Sequence, residues 1–135
     1  ATPRFANIVL SDALPVSRIG HGVRAIEDPA LVRRLAAEGI VLEVNPGSNL
    51  ALGLFPTWRD HPIEPLRAAG VAVTISTDDP PYFRTDLPRE YAALAWTFDW
   101  TAADFAGMNL TAAAAAFCDE ATRAAILARL TGDTP

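Results

Sequence analysis

The chain has 135 residues, half of them hydrophobic, and its 11 Lys plus Arg against 16 Asp plus Glu give a formal net charge of −5. That is enough for one domain with a sizeable core, and the acidic balance without any basic run argues against nucleic acid as a partner. One cysteine, Cys118, excludes an internal disulfide framework and fits a reducing, cytoplasmic setting, and no apolar run approaches the roughly 20 residues of a membrane span.

Residues 7–14 are a short amphipathic stretch read as a helix, stopped by Pro15. Residues 16–19 follow as a brief strand ending in Gly20-His21-Gly22. Asp28-Pro29 has the pattern of a helix start, with Asp as cap and Pro at the first helical position. That helix turns Leu31 and Leu35 inward, leaves Arg33, Arg34 and Glu38 largely outside, and is stopped by Gly39. Residues 40–44 are a β-branched apolar run ending in Asn45-Pro46-Gly47-Ser48-Asn49. After a loop over 51–60, His61-Pro62 opens a helix with Ile63 and Leu66 inward, and Gly70 ends it.

Residues 71–76 are the third strand, ending in Asp78-Asp79-Pro80-Pro81, and the prolines forbid continuation of the sheet. Asp86-Leu87-Pro88 starts a helix through Tyr91 and Trp96 to about Phe98. After a break over 99–104, two alanine-rich helices are expected over about 103–117 and 119–130, the second with Ile126, Leu127 and Leu130 as its apolar stripe. Residues 131–135 read as a frayed tail.

Helix, Gly, strand and polar loop thus occur twice in succession after an initial strand. Near-continuous apolar strands alternating with amphipathic helices predict a parallel sheet covered by helices. The three strand ends carry His21, then Asn45, Ser48 and Asn49, then Asp78 and Asp79. The C-terminal ends of parallel strands are where α/β folds place ligand chemistry. An Asp-Asp-Pro turn is common by itself, but three strands delivering imidazole, amide and hydroxyl, and carboxylate groups to one rim favour a site.

His21 between two glycines is read as a catalytic imidazole rather than a loop histidine. His61 is read as a capping or surface residue, and Cys118 as a buried structural thiol. A His and a carboxylate on neighbouring strand ends could serve a metal, but a catalytic zinc takes three protein ligands plus water, and the chain has two histidines. Either no metal binds, or further ligands come from outside the chain.

Taken together, residues 18–22 (RIGHG), Glu27-Asp28-Pro29, residues 42–49 (LEVNPGSN), His61-Pro62, residues 76–80 (STDDP) and Glu90-Tyr91 resemble the C-terminal half of the adenosine/adenine deaminase family, from about residue 7 to residue 130. The resemblance implies a zinc-dependent (β/α)8 TIM-type barrel that hydrolyses the 6-amino group of a purine to an oxo group and ammonia. It implies Asp78 as a zinc ligand that also touches the attacking water. It implies Asp79 as the partner of purine N7. His21 would orient the attacking hydroxide and stabilise charge as the tetrahedral intermediate forms, and Ser48 and Asn49 would be supports below the rim. The Asn45 position is often cysteine in the family, a departure expected to leave the catalytic roles alone.

The family's His-x-His zinc pair and its His-Ala-Gly-Glu segment, with the glutamate that protonates N1, do not occur in this sequence. The chain therefore resembles strands six to eight of the barrel with their helices. It is expected to be one fragment of the enzyme, with open strand edges and an exposed apolar barrel interior, and to be inactive until an N-terminal fragment completes it. The expected ligand is a purine nucleoside or base: adenosine first, with adenine or aminodeoxyfutalosine as alternatives. A homo-oligomer is compatible with the sequence. The competing reading is a non-catalytic α/β binding or assembly module.

Overall fold

Val41–Val44 (β2) is the centre of a three-stranded parallel sheet, flanked by Arg18–Gly20 (β1) and Val73–Ile75 (β3) in the order β1-β2-β3. The computed structural model describes residues 16–132, so the helix expected over 7–14 lies outside the described residues. All three strands are shorter than the apolar runs that announce them. The sheet has the expected sense, and its register is set by Ile19 opposite Leu42 and Leu42 opposite Val73.

Side chains alternate across the sheet. Ile19, Leu42, Val44, Val73 and Ile75 share the face that meets the helices. Pro29–Glu38 (α1) brings Leu31, Val32 and Leu35 to it, and Ile63–Ala68 (α3) brings Ile63 and Leu66. Leu42, Val44, Ile63 and Leu66 are fully buried. At about 1.5–3 kcal/mol for each large apolar side chain removed from water, these contacts dominate the favourable side of folding.

The opposite face does not match the expected bare apolar interior. It carries Arg18, Gly20, Val41, Glu43 and Thr74, with Arg18 and Glu43 paired at 3.3 Å and the Arg18 guanidinium 3.6 Å over the Phe117 ring. Among the described residues no strand lies outside β1 or β3.

The helix starts follow the sequence signals. Asp28 accepts from the N–H groups of Ala30 and Leu31, and Asp86 accepts from that of Arg89 at the start of Leu87–Phe98 (α5). Gly39 ends α1 at φ 65°. Two short helices were hidden in the polar loops, because each is opened by a proline that also suits a turn. Pro46–Ala51 (α2) follows β2, and Pro80–Phe83 (α4) follows β3. The break after α5 is confined to Asp99–Trp100–Thr101, since Thr101 and Asp104 form a reciprocal capping box that starts Ala102–Ala115 (α6) one residue earlier than expected. Glu120–Thr131 (α7) buries no side chain fully, and its supposed stripe leaves Ile126 and Leu130 38% and 42% exposed.

Candidate functional site

The three polar clusters meet at the C-terminal ends of the strands. His21 follows β1, and its N–H donates to the Glu43 carbonyl at 2.9 Å. Its backbone is left-handed, φ 59°, and so is that of Gly22. A Cβ on Gly22 would stand 2.7 Å from Leu42 Cδ2, so this turn needs glycine for space as well as for its φ of 66°. Asp78 follows β3, also left-handed at φ 61°. Left-handed backbone costs a non-glycine residue about 1–2 kcal/mol, and such residues gather at functional sites. Two of the four described non-glycine residues with positive φ are the two expected catalytic residues; the others, Arg84 and Asp99, end helices.

The imidazole and the carboxylate come together: His21 Nε2 lies 3.6 Å from Asp78 Oδ2. Ser48, fully buried on α2, donates its hydroxyl proton to the same oxygen at 2.7 Å. The Asp78 side chain is 35% exposed and that of His21 42% exposed, so both are fixed on one side and open on the other. Asp79 is exposed and stands at the start of α4, where its carbonyl accepts from the N–H groups of Tyr82 and Phe83.

Behind His21 the amides of Asn45 and Asn49 both approach Nδ1, each at 3.2 Å. The departure at Asn45 was expected to leave the catalytic roles alone. Asn45 touches the imidazole directly, because its side chain leaves the cap of α2 uncapped and reaches the Glu43 carbonyl at 3.1 Å and His21 instead. Asn49 is 1% exposed and also meets His61 Nε2 at 3.0 Å.

His61 is likewise not a surface residue: it is 1% exposed, packs edge-on against Phe55 with ring centroids 5.1 Å apart, and accepts the Ile63 N–H on Nδ1 at 3.2 Å. The capping half of the expectation holds, and burial pushes its pKa down to about 4. Cys118 is only half-buried, at the turn between α6 and α7.

Glu90 has a role that its own segment does not announce. It is 1% exposed, and its carboxylate accepts the Gly47 N–H at 2.9 Å and the Thr85 hydroxyl at 2.6 Å. It thereby ties α5 to the first turn of α2, the helix that carries Ser48 and Asn49. No local feature of the sequence announces this contact; in the fold, a Cβ at Gly47 would lie 2.1 Å from Glu90 Oε1, so the approach needs glycine there.

An apolar cavity of about 340 Å³ borders His21 and Asn49, lined by Ile19, Val23, Leu31, Leu42, Leu52 and Leu54. Neither Asp78 nor Asp79 lines it, so it is not where imidazole and acids converge.

As a metal site the rim is partial. Asp78 suits a carboxylate ligand, being held by Ser48 at a strand end and still open. Among the described residues, however, no three His, Cys, Asp or Glu side chains gather to hold an ion, whereas a zinc site of the catalytic kind takes three protein ligands.

The family model described as adenosine deaminase matches residues 7–132. The adenine deaminase of Rhizobium leguminosarum bv. trifolii is 59% identical over 119 residues, which are 88% of this chain and 37% of that protein. The adenine deaminase of Rhizobium rhizogenes is 60% identical over 114 residues, 84% of this chain and 35% of that protein. Among solved structures, the adenine deaminase of Arthrobacter aurescens superposes with a TM-score of 0.84 at 32% identity, over 90% of this chain and 37% of that one. A zinc-bound amidohydrolase from Burkholderia ambifaria does so with a TM-score of 0.76 at 30% identity, over 90% of this chain and 34% of that one. The chain spans little more than a third of the length of these relatives. Its sheet and helices are part of a TIM-type barrel, as the resemblance implied.

Proposed function

The chain belongs to the adenosine deaminase family, and on that premise we propose that it supplies one side of the active site of a hydrolytic 6-aminopurine deaminase. The observation that carries this reading is the 3.6 Å approach of His21 Nε2 to Asp78 Oδ2, with Ser48 fixing the carboxylate. Free adenine is the proposed substrate. The support is the run of relatives named adenine deaminase, at 59% and 60% identity, over the stretch that contains these residues. Adenosine stands second.

In this reading Asp78 contributes the carboxylate ligand from this chain to zinc. When bound, the metal supplies a water whose pKa is lowered to about 7. The remaining ligands and the proton donor to N1 are assigned to the part of the whole protein that this chain does not span. Asp78 accepts a proton from the attacking water. His21 donates a hydrogen bond from Nε2 to the oxygen that adds to C6, and so stabilises the negative charge that develops there. Asp79, next in sequence and open to solvent, pairs with N7. Water thus adds across the C6=N1 bond; the proton held by Asp78 passes to the exocyclic nitrogen, the C6–N6 bond breaks to release ammonia, and loss of the C6 hydroxyl proton leaves the 6-oxo purine. The 135 residues alone are expected to turn over no purine.

The test uses the full-length polypeptide that carries this chain, assayed for ammonia release from adenine and from adenosine, with zinc content measured alongside. Adenine is expected to be the better substrate. Asp78→Ala is expected to lose both zinc and turnover, and His21→Ala to keep zinc while losing turnover by about 10²- to 10⁴-fold. Full activity in Asp78→Ala would overturn the reading.

A further inference from the structure

We infer that His61 is a positioning residue: acting through Asn49, it fixes the ring tautomer of His21 so that the proton sits on Nε2, facing Asp78. The kinetic consequence rests on the deaminase reading above; the tautomer itself does not.

The Ile63 backbone N–H can only donate, and it meets His61 Nδ1 at 3.2 Å. His61 Nδ1 is therefore unprotonated. A neutral imidazole carries one proton, and burial keeps this ring neutral near pH 7, so its proton is on Nε2. That N–H points at Asn49 at 3.0 Å, which makes the atom it meets the amide oxygen and leaves the NH₂ on the other side. The NH₂ of Asn49 then donates to His21 Nδ1 at 3.2 Å.

A second line reaches the same atom from a different fixed group. The Glu43 backbone carbonyl can only accept, and it takes one proton of the Asn45 NH₂ at 3.1 Å. The same NH₂ has its second proton for His21 Nδ1 at 3.2 Å. Two amides, each oriented by a backbone group, thus present donors to one ring nitrogen. A His21 ring protonated on Nδ1 would face both of them donor to donor and would turn a lone pair toward Asp78. With Nδ1 as acceptor, Nε2 carries the proton and lies 3.6 Å from Asp78 Oδ2. That is the nitrogen the proposed chemistry uses.

His61 lies at the far end of the first line, opposite Asn49 from the imidazole, and is fully buried. It does not touch the rim. What it supplies is the orientation of an amide that could otherwise turn over.

The experiment measures ring ¹⁵N spectra of histidine-labelled full-length protein, which report directly which ring nitrogen is protonated. His21→Gln and His61→Gln identify the two sets of signals by their loss. In the native protein both rings are expected as the Nε2–H form. Asn49→Asp, which keeps the shape but replaces the donor by an acceptor, is expected to move the His21 proton largely to Nδ1. It should lower kcat on adenine by about 10²- to 10⁴-fold, with KM within a few-fold. His61→Leu is expected to give a mixture of His21 forms and a smaller kcat loss. His61→Gln, whose amide N–H can replace the imidazole Nε2–H, should recover most of that loss.

Should His61→Leu not fold, Asn49→Asp and His61→Gln still decide. A His21 ring protonated on Nδ1 in the native protein overturns the inference. So does an Asn49→Asp variant with unchanged His21 signals. If the signals behave as expected while the native protein deaminates no purine, the deaminase reading fails and this one stands.

Discussion

His21 Nε2 stands 3.6 Å from Asp78 Oδ2, and the two residues, which follow strands separated by β2, both hold left-handed backbone, at φ 59° and 61°. The strain aims both side chains across the end of β2. Ordinary extended continuation would send each chain onward instead.

The strain at Asp78 can be measured by substitution. Asp78→Gly and Asp78→Ala both lose the Ser48 hydrogen bond, but only alanine keeps the steric cost of positive φ. The glycine variant is therefore expected to be more stable than the alanine variant by about 1 kcal/mol in urea denaturation, despite glycine's larger unfolded-state entropy. Equal stability would mean that residue 78 is not held left-handed.

Ser48→Ala removes the donor to Asp78 from a fully buried position. A hydrogen bond to a charged group in this setting contributes about 1.5–3 kcal/mol. Because Asp78 is partly exposed and water can replace the hydroxyl, a loss near the lower end is expected, about 1–2 kcal/mol. Under the proposed role of Asp78 as a zinc ligand, a drop in zinc affinity of about 10- to 100-fold should accompany it, as expected when a ligand's support is lost. Isothermal titration of the full-length apoprotein with zinc checks the second part.

Gly47 and Glu90 form a single contact and should show it as non-additivity. Gly47→Ala drives a Cβ into the Glu90 carboxylate and is expected to cost about 1–3 kcal/mol, as overpacking does. Glu90→Ala leaves the Gly47 N–H without its acceptor and is expected to cost about 2–3 kcal/mol. In the double variant the clash is gone, so the total should fall short of the sum by about 1 kcal/mol or more. Simple additivity would show that the two residues do not press on each other.

His61 gives stability a pH dependence of known sign. Its folded-state pKa is near 4, against 6.5 for an exposed histidine. Between those values the unfolded chain binds the extra proton, so stability rises with pH through this window and is lost as pH falls from 6.5 toward 4. At about 1.4 kcal/mol for each pH unit, the loss attributable to this ring approaches roughly 3 kcal/mol at pH 4. Urea titrations at pH 7 and pH 4.5 should show a steeper fall for the native protein than for His61→Gln. Parallel falls would assign the effect to other groups.

Much of the fold was legible because the signals are local. Asp28, Gly39 and Asp86 end or start helices through bonds to backbone only a few residues away, so the sequence alone reveals them. The apolar runs before Gly20, Asn45 and Asp78 likewise announced buried parallel strands, and hence a rim that collects His21, Ser48, Asn49 and Asp78. The polar loops misled because Pro46 and Pro80 suit both a turn and the first residue of a helix. The stripe on α7 misled because helical periodicity shows which side chains share a face, and says nothing about whether anything covers it.

What sequence settled by itself is which residue types stand at the strand ends, since alternation of apolar runs and caps is a property of neighbours. Only the tertiary structure decided which of them are buried and whom they meet. His61, Asn45 and Glu90 each find partners 12 to 43 residues away. The physical reason is that a polar side chain in the interior takes whatever donor or acceptor the packing brings within about 3 Å, and no feature of its own segment encodes that meeting.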